Sequence, residues 1–170
     1  MTQLEKERTQ AAGKIIYTAK THTIGGRENG SARSDDGRLD IKLSPPGSQR
    51  AGTNPEQLFA AGWSACFEGA IGVVAQKRKI AVSDLAIDAE VNLHLASGEY
   101  SLSARLNVSL PGLDRDVARS LVEQAAKVCP YSKATHGNID VVYNVVCTGR
   151  SADPQTNRGA AARRSRLVRH

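Results

Sequence analysis

Apolar and polar residues alternate along two stretches of the chain. Over residues 85–95, Leu85, Ile87, Ala89, Val91 and Leu93 alternate with Asp88, Glu90, Asn92 and His94. Over residues 99–110, Tyr100, Leu102, Ala104, Leu106 and Val108 alternate with Ser101, Ser103, Arg105 and Asn107. A period of two predicts strands with one dry and one wet face. Ser97-Gly98 between them predicts a hairpin turn. The half-wet alternation further predicts an antiparallel sheet covered on one side. Three shorter β-rich runs, KIIYTAK (14–20), RLDIKL (38–43) and IDVVYNVV (139–146), predict further strands.

Two segments follow helical rules instead. Residues 113–128 place Val117, Leu121, Ala125 and Val128 on one stripe, with Asp114 as the N-cap. Residues 53–79 (TNPEQLFAAGWSACFEGAIGVVAQKRK) open with Asn54 as N-cap, Pro55 at the first helical position and Glu56 in the first turn. They close on Lys77, Arg78 and Lys79, which suit the negative end of the helix dipole. Between these ends the segment is apolar nearly all round, the mark of a helix buried by other elements. Of the remaining segments, THTIGGRENG (21–30) ends in a glycine-dense loop around Arg27, residues 44–52 read as a Pro/Gly/Ser turn, and CPYSKATHGN (129–138) reads as a loop.

The order is strands, buried helix, hairpin, helix, strand, an α+β arrangement with segregated helices. One layer of about six strands in so small a chain falls short of covering a helix that is apolar on every side. A second copy would supply the cover, so a homodimer is expected.

Composition adds limits. The chain of 170 residues is 40% hydrophobic and 24% charged, the profile of a globular domain. No uninterrupted apolar run approaches the ~20 residues that span a bilayer, and MTQLEKERTQ lacks the pattern of a secretory signal, so neither membrane nor export is expected. The net charge of +6 first suggests nucleic acid. Residues 149–170 carry +5 of it, leaving a nearly neutral body, and only seven residues are aromatic. Nucleic-acid binding is therefore disfavoured. The expected organisation is an N-terminal extension (1–13), one domain (14–148) and a basic tail (149–170) that reads as disordered.

Three cysteines, Cys66, Cys129 and Cys147, are too few and too odd for a disulfide scaffold, and point to a reducing compartment such as the cytoplasm. A lone cysteine is most often a small buried hydrophobe. Cys66 in an apolar helix would have a raised pKa and be inert unless a fixed cation stood near it. Arg27, flanked by glycines, and Glu56, at a helix start, are the candidates for such a cation and its anchor. On one straight helix Glu56 would lie ~15 Å along the axis from Cys66. Contact would need a break near Gly62 or a group donated by another subunit.

These residues carry a resemblance. TNPEQLFAAGWSACF (53–67), VCPYSKATHGNIDV (128–141) and the GGREN loop (25–29) closely resemble the organic hydroperoxide resistance proteins, a branch of the wider OsmC-like group. The likeness spans about residues 14–146 and leaves out Cys147 and the tail. It implies an intertwined homodimer with antiparallel sheets around a buried central helix, and two active sites at the subunit interface. It implies that Cys66 is the peroxidatic cysteine, Cys129 the resolving cysteine, Arg27 the active-site arginine and Glu56 the glutamate that orients it. It implies reduction of organic and fatty-acid hydroperoxides to alcohols in oxidative stress defence. Recycling by dihydrolipoyl groups (dihydrolipoamide) of lipoylated proteins is also implied, with no bound cofactor and no metal. Trp63 stands where the family pattern leads one to expect tyrosine.

The residues fit that chemistry. A Cys66 thiolate that attacks the peroxide O–O bond becomes a sulfenic acid as the alcohol leaves, and Cys129 condenses with it to a disulfide, releasing water. Leu58, Phe59, Trp63, Phe67 and Ile71 would line a pocket for a greasy substrate, although apolar helical residues more often form core. Two rivals remain at this level. One is a non-catalytic or differently specialised OsmC-like stress protein. The other is a zinc site of Cys66, Cys129 and His136, which no CxxC or HxxxH spacing supports.

Overall fold

The structure is a computed structural model that describes residues 13–147. The tail over residues 149–170, and the N-terminal extension apart from Gly13, lie outside the described residues. The chain forms two compact units that divide after Leu58.

The first unit holds a three-stranded antiparallel sheet. Strands β1 (Thr21–Ile24), β2 (Ser31–Ser34) and β3 (Asp40–Lys42) are ordered β1-β2-β3, with Thr23 opposite Ala32 and Ala32 opposite Ile41. A single helical turn, α1 (Gly26–Asn29), joins β1 to β2. This corrects two expectations. KIIYTAK forms no regular element and leaves Ile15, Ile16 and Tyr17 exposed. THTI and SARS, left unassigned, form the strands instead. SARS has modest β-propensity and is decided by backbone pairing with RLDIKL on one side and with the Thr- and Ile-rich THTI on the other. Helix α2 (Pro55–Lys77) starts in this unit. Asn54 caps it as expected, its side-chain oxygen accepting from the Gln57 amide at 2.8 Å.

The second unit holds most of α2, then β4 (Ala86–Ala96), β5 (Glu99–Ser109), α3 (Arg115–Val128), a short α4 (Pro130–Thr135) and β6 (Asp140–Val146). The expected hairpin is present: Ala96 pairs with Glu99, and Ser97 and Gly98 both take positive φ (53° and 83°). Two consecutive positive φ values are what a two-residue turn needs to follow the strand twist. The Asp114 cap is also present, its carboxylate accepting from the amides of Asp116 and Val117.

The sheet order is β4-β5-β6, and β6 runs parallel to β5. The expectation of purely antiparallel sheets fails here for a topological reason. Alternation reports that one face is wet, not which way the neighbour runs. A helical crossover through α3 and α4 returns the chain to the same end of the sheet, so its next strand pairs parallel. CPYSKATHGN likewise is not all loop: Pro130 opens α4 at its first position.

The dry face of this sheet packs against α2 and α3. Leu106 and Val108 of β5, Trp63, Phe67 and Ile71 of α2, and Cys129 are fully buried in one cluster. On α3 the buried stripe is Ala118, Leu121, Val122 and Ala125, while Val128 is exposed. Helix α2 is not buried all round. Ala61, Ala65, Glu68, Gly69, Gly72 and Val73 form an exposed face within one chain. Its 23 residues suffice, by length and composition alone, to cross a membrane, although Ser64, Glu68 and Gln76 interrupt any apolar run. Here its other face is the central helix of the core instead.

Candidate active site

Residues of the first unit build an anchored cation. Gly25 adopts a left-handed backbone (φ 71°), which turns the chain out of β1 into α1. A Cβ on Gly30 would collide with the carbonyl oxygens of Ile24 and Gly26, so only glycine lets the turn close. Arg27 projects from that turn. Its Nη2 donates to both oxygens of Glu56, at 3.0 and 2.9 Å. Both bonds use one nitrogen, which leaves the rest of the guanidinium fork unengaged by Glu56. The Glu56 side chain is 15% exposed and Arg27 38%. Glu56 stands in the first turn of α2, where the helix dipole also favours its charge.

Arg50 was not singled out from the sequence. Its guanidinium donates to Asn29 Oδ1 at 2.9 Å and to the Glu28 carbonyl at 2.8 Å. It thus staples the turn that carries Arg27 to the 44–52 loop. A surface arginine in a polar loop carries no sequence signal for such a role.

Residues of the second unit build a thiol pair. Cys66 lies midway along α2, and Cys129 caps α4 directly after α3. Their sulfurs are 3.4 Å apart, both free thiols, with Cys129 buried and Cys66 partly so. Burial pushes the Cys66 thiol above the ordinary thiol range, and Cys129 beside it pushes the same way. A backbone hydrogen bond from Tyr131 opposes both. Burial and Cys129 thus favour the neutral Cys66 thiol, and a positive charge nearby would favour the thiolate.

Around the pair lies an aromatic and hydroxyl frame. Trp63 Nε1 donates to Ser132 Oγ at 3.1 Å, and Tyr143 Oη donates to the same oxygen at 3.0 Å. Phe67 stacks on Tyr143, centroids 5.0 Å apart and planes at 21°. Burial raises the Tyr143 phenol, the Cys129 sulfur adds to this, and the Ser132 hydrogen bond works against it. The Tyr131 ring covers Gly62 so closely that a Cβ there would lie 2.8 Å from its hydroxyl. Ser132, Tyr131 and Tyr143 were missed from sequence. The serine and Tyr131 sat in what read as loop, and Tyr143 in what read as ordinary strand.

The expected pocket residues divide. Trp63, Phe67 and Ile71 are fully buried in the core, so they support the site from behind rather than line it. Leu58 and Phe59 keep partial exposure, and Phe59 packs against Trp63 and Tyr131 at 5.4 and 5.9 Å between centroids. Helix α2 runs unbroken through Gly62, so the break expected as one route to Cys66 does not occur. Cys147 follows β6 and packs, partly buried, against the core. Among the described residues, no group of three His, Cys, Asp or Glu side chains is placed to hold a metal.

Comparison with known proteins agrees with this geometry. Residues 46–144 match the family model described as OsmC-like protein. The organic hydroperoxide resistance protein of Xanthomonas axonopodis pv. citri is 46% identical over 133 residues, covering 75% of this chain and 93% of that protein. OhrB of Bacillus subtilis, also an organic hydroperoxide resistance protein, is 44% identical over 131 residues, covering 74% and 95%. The crystal structure of that OhrB superposes with a TM-score of 0.74 at 42% identity, covering 78% of this chain and all of the other. Fold, thiol pair and relatives agree: this chain belongs to the OsmC-like family, among the organic hydroperoxide resistance proteins.

Proposed function

We propose that this protein is a cysteine-based peroxidase that reduces organic hydroperoxides, fatty-acid hydroperoxides included, to alcohols in oxidative stress defence in the cytoplasm. The observation that carries the reading is the Cys66–Cys129 pair, two free thiols 3.4 Å apart although 63 positions separate them in sequence. The relatives named for organic hydroperoxide resistance support the substrate class.

The chemistry runs as follows. The Cys66 thiolate attacks one oxygen of R–O–O–H. The O–O bond breaks, RO⁻ leaves and takes a proton as the alcohol, and Cys66 becomes a sulfenic acid. The Cys129 sulfur then attacks the Cys66 sulfur, water leaves, and a disulfide forms before a second peroxide can overoxidise Cys66. An external dithiol, dihydrolipoamide of a lipoylated protein, reopens the bond by exchange. Arg27, held by Glu56, is the cation that lowers the Cys66 pKa and stabilises charge on the departing oxygen. Its role is argued from the residue types and the family resemblance. The raised thiol within the second unit is the reason such a cation is needed.

The working form in this reading is a homodimer. The exposed small-residue face of α2, with Val73 at 47% exposure, and the unpaired Ile15-Ile16-Tyr17 segment are apolar surfaces that a second chain would cover. The test measures consumption of cumene hydroperoxide and of hydrogen peroxide with dihydrolipoamide as reductant. Turnover of cumene hydroperoxide by the natural chain, abolished in Cys66→Ser, is expected. No turnover with either peroxide would overturn the reading and favour a non-catalytic OsmC-like stress protein.

A further inference from the structure

We propose that Ser132 is a positioning residue for the step that closes the Cys66–Cys129 disulfide; the proposal rests on the peroxidase reading above. Ser132 is buried (5% exposed) and lies three residues after Cys129, in the helical turn that Cys129 caps. Its oxygen accepts two hydrogen bonds, from Trp63 Nε1 at 3.1 Å and from Tyr143 Oη at 3.0 Å. These fill both acceptor sites of one hydroxyl.

The two donors reach opposite sides of Cys66 on α2. Trp63 stands one residue short of a helical turn before Cys66. Phe67, directly after Cys66, stacks on the Tyr143 ring. So the backbone on both sides of Cys66 is tied, directly or through one stacked ring, to the turn that holds Cys129. That turn is itself closed by Lys133 N donating to the Cys129 carbonyl at 3.0 Å and by Thr135 Oγ1 donating to the Tyr131 carbonyl at 3.0 Å. Removing the Ser132 oxygen would loosen the turn and leave the buried Trp63 Nε1 and the partly buried Tyr143 hydroxyl without this partner.

Closure needs such precision. The sulfurs must come from 3.4 Å to the ~2.05 Å of an S–S bond, within a narrow range of dihedral angles. In that step the Cys129 sulfur bonds to the sulfenic sulfur of Cys66, the S–O bond breaks, and the hydroxyl leaves with the thiol proton as water. The sulfenic sulfur is reduced and the Cys129 thiol oxidised, so no further reactant is required. Of the two thiols, only Cys66 takes part in the initial attack on peroxide. Ser132 should therefore matter for closure and little for sulfenic acid formation.

The experiment is a single turnover of the full chain with one equivalent of cumene hydroperoxide. Natural protein, Ser132→Ala, Ser132→Thr and Tyr143→Phe are compared. Dimedone trapping times the Cys66 sulfenic acid, and non-reducing peptide mapping times the disulfide. Emission of Trp63, the chain's single tryptophan, reports the packing of each variant. Ser132→Ala should form sulfenic acid within twofold of the natural rate, close the disulfide at least tenfold more slowly, and accumulate sulfinic acid at lower peroxide. Ser132→Thr, which keeps the hydroxyl, should restore closure to within about threefold. Unchanged closure in Ser132→Ala, or an equal loss in both steps, would overturn the proposal. If Ser132→Ala fails to fold, Tyr143→Phe decides: it keeps the Phe67 stack but loses one bond to Ser132, so natural closure there would overturn it. A parallel arm starts closure with diamide, which oxidises the dithiol without peroxide. Slow closure of Ser132→Ala in that arm, with no peroxide consumed by any variant, upholds the positioning role while the peroxidase reading fails.

Discussion

The sulfurs of Cys66 and Cys129 stand 3.4 Å apart although 63 residues separate them in sequence. One comes from the middle of the long central helix, the other from the junction of α3 and α4. One equivalent of organic hydroperoxide should therefore yield an intramolecular Cys66–Cys129 disulfide, seen by peptide mapping under non-reducing conditions. A dominant link to Cys147 or between two chains would contradict the resolving role of Cys129. Cys147→Ser should keep turnover within about twofold, since Cys147 only packs against the core edge.

Activation of Cys66 is expected to depend on Arg27. Burial and Cys129 raise the Cys66 thiol, and only the Tyr131 backbone bond pulls the other way within the second unit. In Arg27→Ala the pH midpoint of Cys66 alkylation should lie above the ordinary thiol range, and in the natural protein below that of the variant. Arg27→Lys should fall between them, because an ammonium keeps the charge but loses the planar fork. An unchanged midpoint in Arg27→Ala would assign activation to another group.

Gly30→Ala should disable the arginine without touching the thiols. Its Cβ would meet the carbonyls of Ile24 and Gly26, so the α1 turn must open. Peroxide turnover should fall at least tenfold, while excess diamide still carries the Cys66–Cys129 disulfide to completion. Loss of diamide closure would show instead that the substitution disturbs the second unit.

Alkaline stability should report Tyr143. Its phenol is raised first by burial and then by Cys129, against the Ser132 hydrogen bond. A raised folded pKa means that the protonated phenol is favoured on folding. Its contribution is complete below the ordinary phenol range of about 10 and is lost as pH rises through the folded value. Urea midpoints of the natural protein should fall above about pH 10, and Tyr143→Phe should fall less steeply over the same range. Parallel curves would show that other groups set the alkaline limit.

The Asp114 cap gives a measure of local stability. Its carboxylate holds the Asp116 and Val117 amides at 2.9 and 3.3 Å. Asp114→Ala should cost about 1 kcal/mol, read from urea unfolding, with peroxide turnover per folded molecule unchanged. Asp114→Asn should recover most of the loss.

Selectivity follows from the apolar surroundings. Burying three or four CH₂ groups is worth ~2–3 kcal/mol, or roughly fiftyfold in binding, and hydrogen peroxide has none to bury. Cumene hydroperoxide should therefore be consumed with at least fiftyfold higher catalytic efficiency. Equal efficiency would point to a general peroxidase.

Local patterning alone determined the hairpin with its Ser97-Gly98 turn, the capped starts of α2 and α3, and the last strand. Each is specified by neighbours in sequence: alternation, side-chain caps and positive-φ turn residues. Glycine, proline and charge made Cys66, Cys129, Arg27 and Glu56 candidates, and their proposed roles rest on the family resemblance. Tertiary structure decided the rest. β2 (SARS) has little β-propensity of its own and exists through pairing with β1 and β3, and KIIYTAK, rich in it, forms no strand among the described residues. The parallel pairing of β6 depends on the path of the α3–α4 crossover, which no residue pattern encodes. The exposed face of α2 depends on how many layers one chain supplies, not on the helix's own apolarity. The contacts of Ser132 with Trp63, 69 positions away, and of Cys129 with Cys66 exist only because packing brings distant segments together. Hydrogen bonds and thiol contacts reach a few ångströms, whereas sequence patterns report only on neighbours along the chain.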